Sequence, residues 1–206
     1  MTVETALIAY VAAAGLLTLT PGLDTAMVLR TLAVDGPSRA WLAWLGIASG
    51  CLAWGVVVAL GLGAVLAASH LAYTVLRLAG AAYLAWLGVN LILRPRSRLD
   101  PPASGAQKSG NWFARGFLTN ALNPKVGVFY VSFLPQFVPA HVPVAPFIVL
   151  LAAIHDLLGF AWFAVLIGAG GALRRWTQRA TVVCWLDRIT GAVFLGFGLR
   201  LALDRR

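Results

Sequence analysis

Residues 40–76 contain no Lys, Arg, Asp or Glu, and a stretch so long and uncharged constrains the fold more than any other feature of the chain. A helix needs about 20 mostly apolar residues to cross a bilayer. The run is therefore too long for one span, and Ser69-His70 is the natural turn within it. The rest of the chain agrees: 60% of its 206 residues are hydrophobic and 11% are charged, with eight tryptophans. A soluble domain has roughly 45–50% apolar and about 25% charged residues. The chain reads as an all-α integral membrane protein, a single transmembrane domain over 1–206 with no soluble domain to place.

Six apolar runs are long enough to span, at about 5–30, 40–67, 70–93, 113–136, 144–172 and 181–203. The formal charge of +9 suggests nucleic acid only until the sixteen Lys and Arg are located. They cluster in short connections: Arg30 and Arg39, then Arg94, Arg96, Arg98, Lys108 and Arg115, then Arg174, Arg175 and Arg179. Basic connections stay in the cytoplasm, so with six spans both termini are expected outside; Arg200, Arg205 and Arg206 at the C-terminus oppose that orientation. No basic residue precedes the first run, so the chain lacks the basic region of a cleaved signal peptide and the first segment is expected to be retained. The fifth run has room for a tilted helix with a re-entrant end, because Gly168, Gly170 and Gly171 weaken its last turns.

Two of these runs carry helix breakers at matching depth. The first contains Thr20-Pro21-Gly22-Leu23-Asp24 and the fourth Leu122-Asn123-Pro124-Lys125. Proline removes a backbone donor and clashes with the preceding turn. In a bilayer the freed polar groups are tolerated only where protein or a watery cavity receives them. Paired broken helices in two halves of a chain are the best sequence pointer to a transporter's binding site.

The halves also match elsewhere. Arg77, Gly80, Ala81, Tyr83, Leu84 and Trp86 recur in register as Arg188, Gly191, Ala192, Phe194, Leu195 and Phe197. The repeats are 1–93 and 113–206, joined by a polar, cytoplasmic linker at 94–112. Each has three spans, an odd number, so the copies enter the membrane from opposite sides as inverted repeats, with helices 1 and 4 broken.

Three motifs, Thr20-Pro21-Gly22, Gly80-Ala81-Ala82-Tyr83-Leu84 and Gly116-Phe117-Leu118-Thr119-Asn120-Ala121-Leu122-Asn123-Pro124-Lys125, carry a family resemblance. With them the chain resembles the LysE/RhtB family of amino-acid exporters over its whole length. That family often has Pro-Gly-Pro in the first span, where this chain has Leu23 before Asp24, which implies a milder first break. The resemblance implies proton-driven efflux of amino acids or their derivatives across a bacterial cytoplasmic membrane, by antiport, with no enzyme activity and no cofactor.

An amino acid presents a carboxylate and an ammonium on one carbon. The N-terminal end of a half-helix attracts the anion, and unwound carbonyls attract the cation. Thr20, Pro21, Gly22, Asn120, Asn123, Pro124 and Lys125 are therefore the candidate substrate-binding residues, with Thr20, Asn120 and Asn123 supplying neutral hydrogen bonds. The plainer reading is that the prolines only kink helices for packing. Asp24 and Asp156 are the candidate proton-coupling groups, because an ionisable residue within a span usually faces a cavity or a partner. Asp24 could pair with Lys125 across the halves, or both could lie near the interface with Lys125 snorkelling. His155 reads more simply as a packing residue, as do Cys51 and Cys184. Asp187 reads as a neutraliser of its neighbour Arg188. Trp41, Trp112 and Trp176 near span ends read as an aromatic belt. Gly46-x-x-x-Gly50 is a close-packing spacing, suited to internal packing more than to a homodimer.

Two other functions compete. A cation or metal-ion exporter would need converging carboxylates, and Asp24, His155 and Asp156 are a thin set for a hard cation. A thiol-disulfide electron conduit would need cysteines beside the prolines, where Thr20 and Asn123 stand instead. No metal, cofactor or nucleic acid is expected; the partners are the amino acid, protons and the lipid bilayer.

Overall fold

The computed structural model describes residues 2–68, 70–95, 110–169 and 179–203, all of it helix or short connection. Most of the expected linker, the glycines 170 and 171, the Arg174-Arg175 pair, Trp176, Ser69 and the two final arginines lie outside the described residues. The elements are α1 (Val3–Leu19), α2 (Leu23–Asp35), α3 (Pro37–Ala68), α4 (His70–Leu93), α5 (Trp112–Ala121), α6 (Pro124–Val128), α7 (Val144–Gly168) and α8 (Ala180–Leu203).

Three of these contain stretches long and apolar enough to cross a bilayer: Pro37–Gly61, Val144–Gly168 and Ala180–Leu199. A fourth crossing follows if α1 and α2, bent by 50° at their break, count as one span. Between the second and third runs α3 ends at Ala68 and α4 begins at His70, and the turn expected at Ser69-His70 involves Ser69, which lies outside the described residues.

The fourth run is more broken than a single proline suggests. After α6 the backbone forms a π-helical turn at Phe129–Phe133 and a 3-10 turn at Leu134–Phe137. Pro135 has no N–H to continue the α ladder. The Gln136 side chain, next in the chain, donates through Nε2 to the Ser132 carbonyl at 2.8 Å. Phe129, Phe133 and Phe137 from this stretch are buried with Tyr10 of α1, and Phe197 of α8 packs edge-on against Phe133 and tilted against Phe137.

Small residues set how closely the helices approach, as expected where lipid tails leave packing to do the work. A Cβ at Gly46 would run into the backbone of Phe113 and Phe117, and one at Gly116 into the Ala43 carbonyl. Gly50, one turn on, faces the Asn120 side chain. The Gly46-Gly50 spacing is therefore internal packing of α3 on α5. Gly88 and Gly191 lie against each other's carbonyls in the α4–α8 pair, while Gly198 meets Ala81 and Ala85. Contacts that run forward on one helix and backward on the other make α4 and α8 antiparallel. At the α2–α3 corner Gly36 has φ of 90°, a value that glycine adopts without strain.

Candidate transport site

The two breaks have nearly the same backbone. Thr20 sits at φ −74°, ψ 111° and Asn123 at φ −79°, ψ 108°. Each precedes a proline, whose ring pushes the residue before it out of the helical region into extended backbone. At the second break the Asn123 side chain accepts from the Lys125 amide at 3.1 Å and so caps α6. At the first, Gly22 caps α2 with no side-chain bond.

The breaks meet. Asn120 Nδ2, at the end of α5, donates to Asp24 Oδ2 in the first turn of α2 at 2.9 Å. Lys125 Nζ, in α6, donates to the Thr20 carbonyl at the end of α1 at 3.4 Å. Each side of one break thus supplies a partner to the other. The Thr20 hydroxyl donates back to the Leu16 carbonyl at 2.7 Å and also contacts the Thr190 hydroxyl of α8.

A cavity of about 70 Å³ opens where they meet. Thr20, Gly22, Asp24, Asn123, Lys125 and Asp156 all contribute to its wall. Asp24 Oδ1 and Asp156 Oδ2 are buried and have no hydrogen-bond partner among the described residues. Pro21 is buried at the break, and Pro124 opens α6 at its first position. Asn120 stands behind the wall, fully buried against Gly50, and holds Asp24 rather than facing the cavity.

α3 and α7 close the other side and give the cavity two unlike ends. Cys51, His155 and Asp156 lie at the level of the breaks, and Trp44, Ile47, Gly159 and Phe163 lie one to two turns away. The Trp44 indole faces Gly159, where a Cβ would lie 3.7 Å from its Nε1. Trp41 extends this aromatic end by packing edge-on against Trp44, and both touch Phe160.

Several of these residues do more in the structure than the sequence suggests. Cys51, read as packing, lines the cavity and receives Asn120 Nδ2 at 3.3 Å. His155 is bound through Nδ1 to the Tyr130 hydroxyl at 2.9 Å and also lines the cavity. Nothing in the sequence singles out Thr190, and Asp187, which reads from the sequence as a neutraliser of its neighbour Arg188, is fully buried one turn before Thr190. Trp112 carries the Arg115 guanidinium over its ring at 4.7 Å. Among the described residues no three His, Cys, Asp or Glu side chains converge as metal ligands, and Cys51 and Cys184 are free thiols.

Comparison with known proteins identifies the family. The model of the LysE type translocator family matches residues 16–205. An uncharacterized membrane protein of Bacillus subtilis, YrhP, is 31% identical over 96% of this chain and 99% of its own. A threonine efflux protein of Salmonella typhi is 32% identical over 91% of this chain and 92% of its own. A leucine efflux protein of Enterobacter is 30% identical over 94% and 93%. No solved structure matches. The chain belongs to the LysE type translocator family and is a membrane transporter, not an enzyme.

Proposed function

We propose that the chain exports amino acids, or close derivatives, across the bacterial cytoplasmic membrane by proton antiport, with the cavity at the two breaks as the cargo site. The observation that carries this reading is the reciprocal crossing of the breaks, Asn120 to Asp24 and Lys125 to Thr20, around a cavity with unpartnered carboxylate oxygens. Those groups suit a zwitterion. The Lys125 ammonium and the first turn of α2, whose cap makes no side-chain bond, receive the carboxylate. Asp24 and Asp156 receive the ammonium.

Antiport follows from chemistry at one oxygen. A carboxylate can hold an ammonium or a proton, not both, so protonating Asp24 displaces the cargo and cargo displaces the proton. Thr20 and Asn123 complete the polar wall, while Pro21, Gly22 and Pro124 keep the two helical runs broken there. Asn120 is a positioning residue, acting through Asp24.

The full architecture in this reading is six spans in two inverted triplets, 1–93 and 113–206, with both termini outside. The antiparallel α4–α8 pair, built on the matched Gly80 and Gly191 segments, supports the inverted relation. The threonine and leucine efflux relatives support the cargo class. The test is counterflow of a radiolabelled amino-acid panel in proteoliposomes, with and without an imposed proton gradient. Saturable counterflow accelerated by the gradient is expected; none with any amino acid would reject the reading.

A further inference from the structure

The cavity is polar at one end and aromatic at the other, and that asymmetry bears on which amino acid it takes. We propose that it selects small neutral amino acids, of the alanine, serine, threonine and valine class, with Trp44 and Gly159 setting the limit on side-chain size. The inference rests on the reading of the cavity as the cargo site.

Three observations carry it. The cavity holds about 70 Å³, far below the roughly 300–1,000 Å³ of pockets that enclose drug-sized ligands. Its charged and hydrogen-bonding groups gather where Asp24, Lys125 and Asp156 stand, which fixes the zwitterionic head at that end. The side chain then points to Trp44, Ile47 and Phe163, where no charged group stands among the described residues. A lysine or glutamate side chain would bury a charge there without a partner, which is costly. A short aliphatic or hydroxylated chain would not.

Size is set by one facing pair. Gly159 on α7 stands opposite the Trp44 indole of α3. Trp44 is in turn held by Trp41 and Phe160, so the ring cannot swing aside without disturbing two further aromatics. The absent side chain at position 159 leaves the remaining space, and the fixed indole ends it. One methylene too many in such a pocket changes discrimination by about 10- to 200-fold.

The experiment is competition against labelled alanine in the counterflow assay, using glycine, alanine, serine, threonine, valine, leucine, phenylalanine, lysine and glutamate. The wild type should rank alanine to valine above leucine and phenylalanine by at least about tenfold, with lysine and glutamate not competing. Trp44→Ala should raise leucine and phenylalanine relative to alanine by about tenfold, and Gly159→Val should lower threonine and valine relative to glycine by a similar factor. A flat ranking in the wild type, a preference for large or charged side chains, or variants that leave the ranking unchanged would overturn the inference. Should Trp44→Ala fail to reach the membrane, Gly159→Val decides alone, since a Cβ at 159 meets only ordinary contact. If no amino acid supports counterflow at all, the cargo reading itself has failed, a separate result.

Discussion

Lys125 Nζ and the Thr20 carbonyl are 3.4 Å apart although 105 residues separate them in the chain. The carbonyl belongs to the last residue before Pro21 and has lost its place in a helical ladder; the ammonium comes from the first turn after Pro124. One break therefore supplies the partner that the other lacks. A hydrogen bond to a charged group contributes about 1.5–3 kcal/mol, so Lys125→Met should lower stability by that order and reduce counterflow at least tenfold. Denaturant unfolding in mixed micelles and the transport assay measure the two effects. Full transport in Lys125→Met would remove the residue from the site.

Thr190 is the α8 contact of the first break. Its hydroxyl meets that of Thr20, which also bonds back to Leu16. Hydrogen bonds between spans average about 0.6 kcal/mol in double-mutant cycles. A cycle of Thr20→Val and Thr190→Val should give a coupling of that size. A coupling of zero would mean that α8 does not brace the break.

Gly46 and Gly116 face backbone atoms across the α3–α5 contact with no room for a Cβ. Leucine at either position should cost about 3 kcal/mol or more, or prevent assembly, as read by the yield of monodisperse protein in detergent. Gly15, with nothing near its missing Cβ, should accept alanine within about 0.5 kcal/mol. Equal tolerance at all three would contradict the close approach of α3 and α5.

Much of this was legible because proline and charge act locally and strongly. Pro21 and Pro124 announced both breaks, and the structure puts each preceding residue in the same extended conformation. That Asp24 and Lys125 sit beside these breaks was also readable, though not that Lys125 would reach Thr20 and Asp24 would be held by Asn120. Those partners depend on how helices cross, which no local pattern fixes. Cys51 and Gly159 show the limit most clearly. An apolar run gives no sign of which helix face lines a cavity, and both look like packing until α3 meets α7. The π and 3-10 turns at the end of the fourth run left no trace in the sequence for a different reason: the run is apolar throughout, so the change of helix type leaves the hydropathy unchanged.

Tyr130 projects from the π turn to His155 Nδ1 at 2.9 Å, tying the broken fourth run to α7. Tyr130→Phe removes the hydroxyl and leaves a buried imidazole nitrogen without it, at a cost of about 1–3 kcal/mol. Because His155 lines the cavity, the same variant should raise the apparent KM for cargo. Unfolding and counterflow at several cargo concentrations separate the two; a variant changed in neither would show that the contact braces nothing.

In the proposed antiport Asp24, held by Asn120 and lining the cavity, is the group that exchanges cargo for a proton. The direct measurement is efflux from proteoliposomes of Asp24→Asn with an imposed pH gradient, compared with the wild type. Gradient-driven export should be abolished, and any residual exchange should no longer respond to the gradient. Export that responds to the gradient as it does in the wild type would contradict the account.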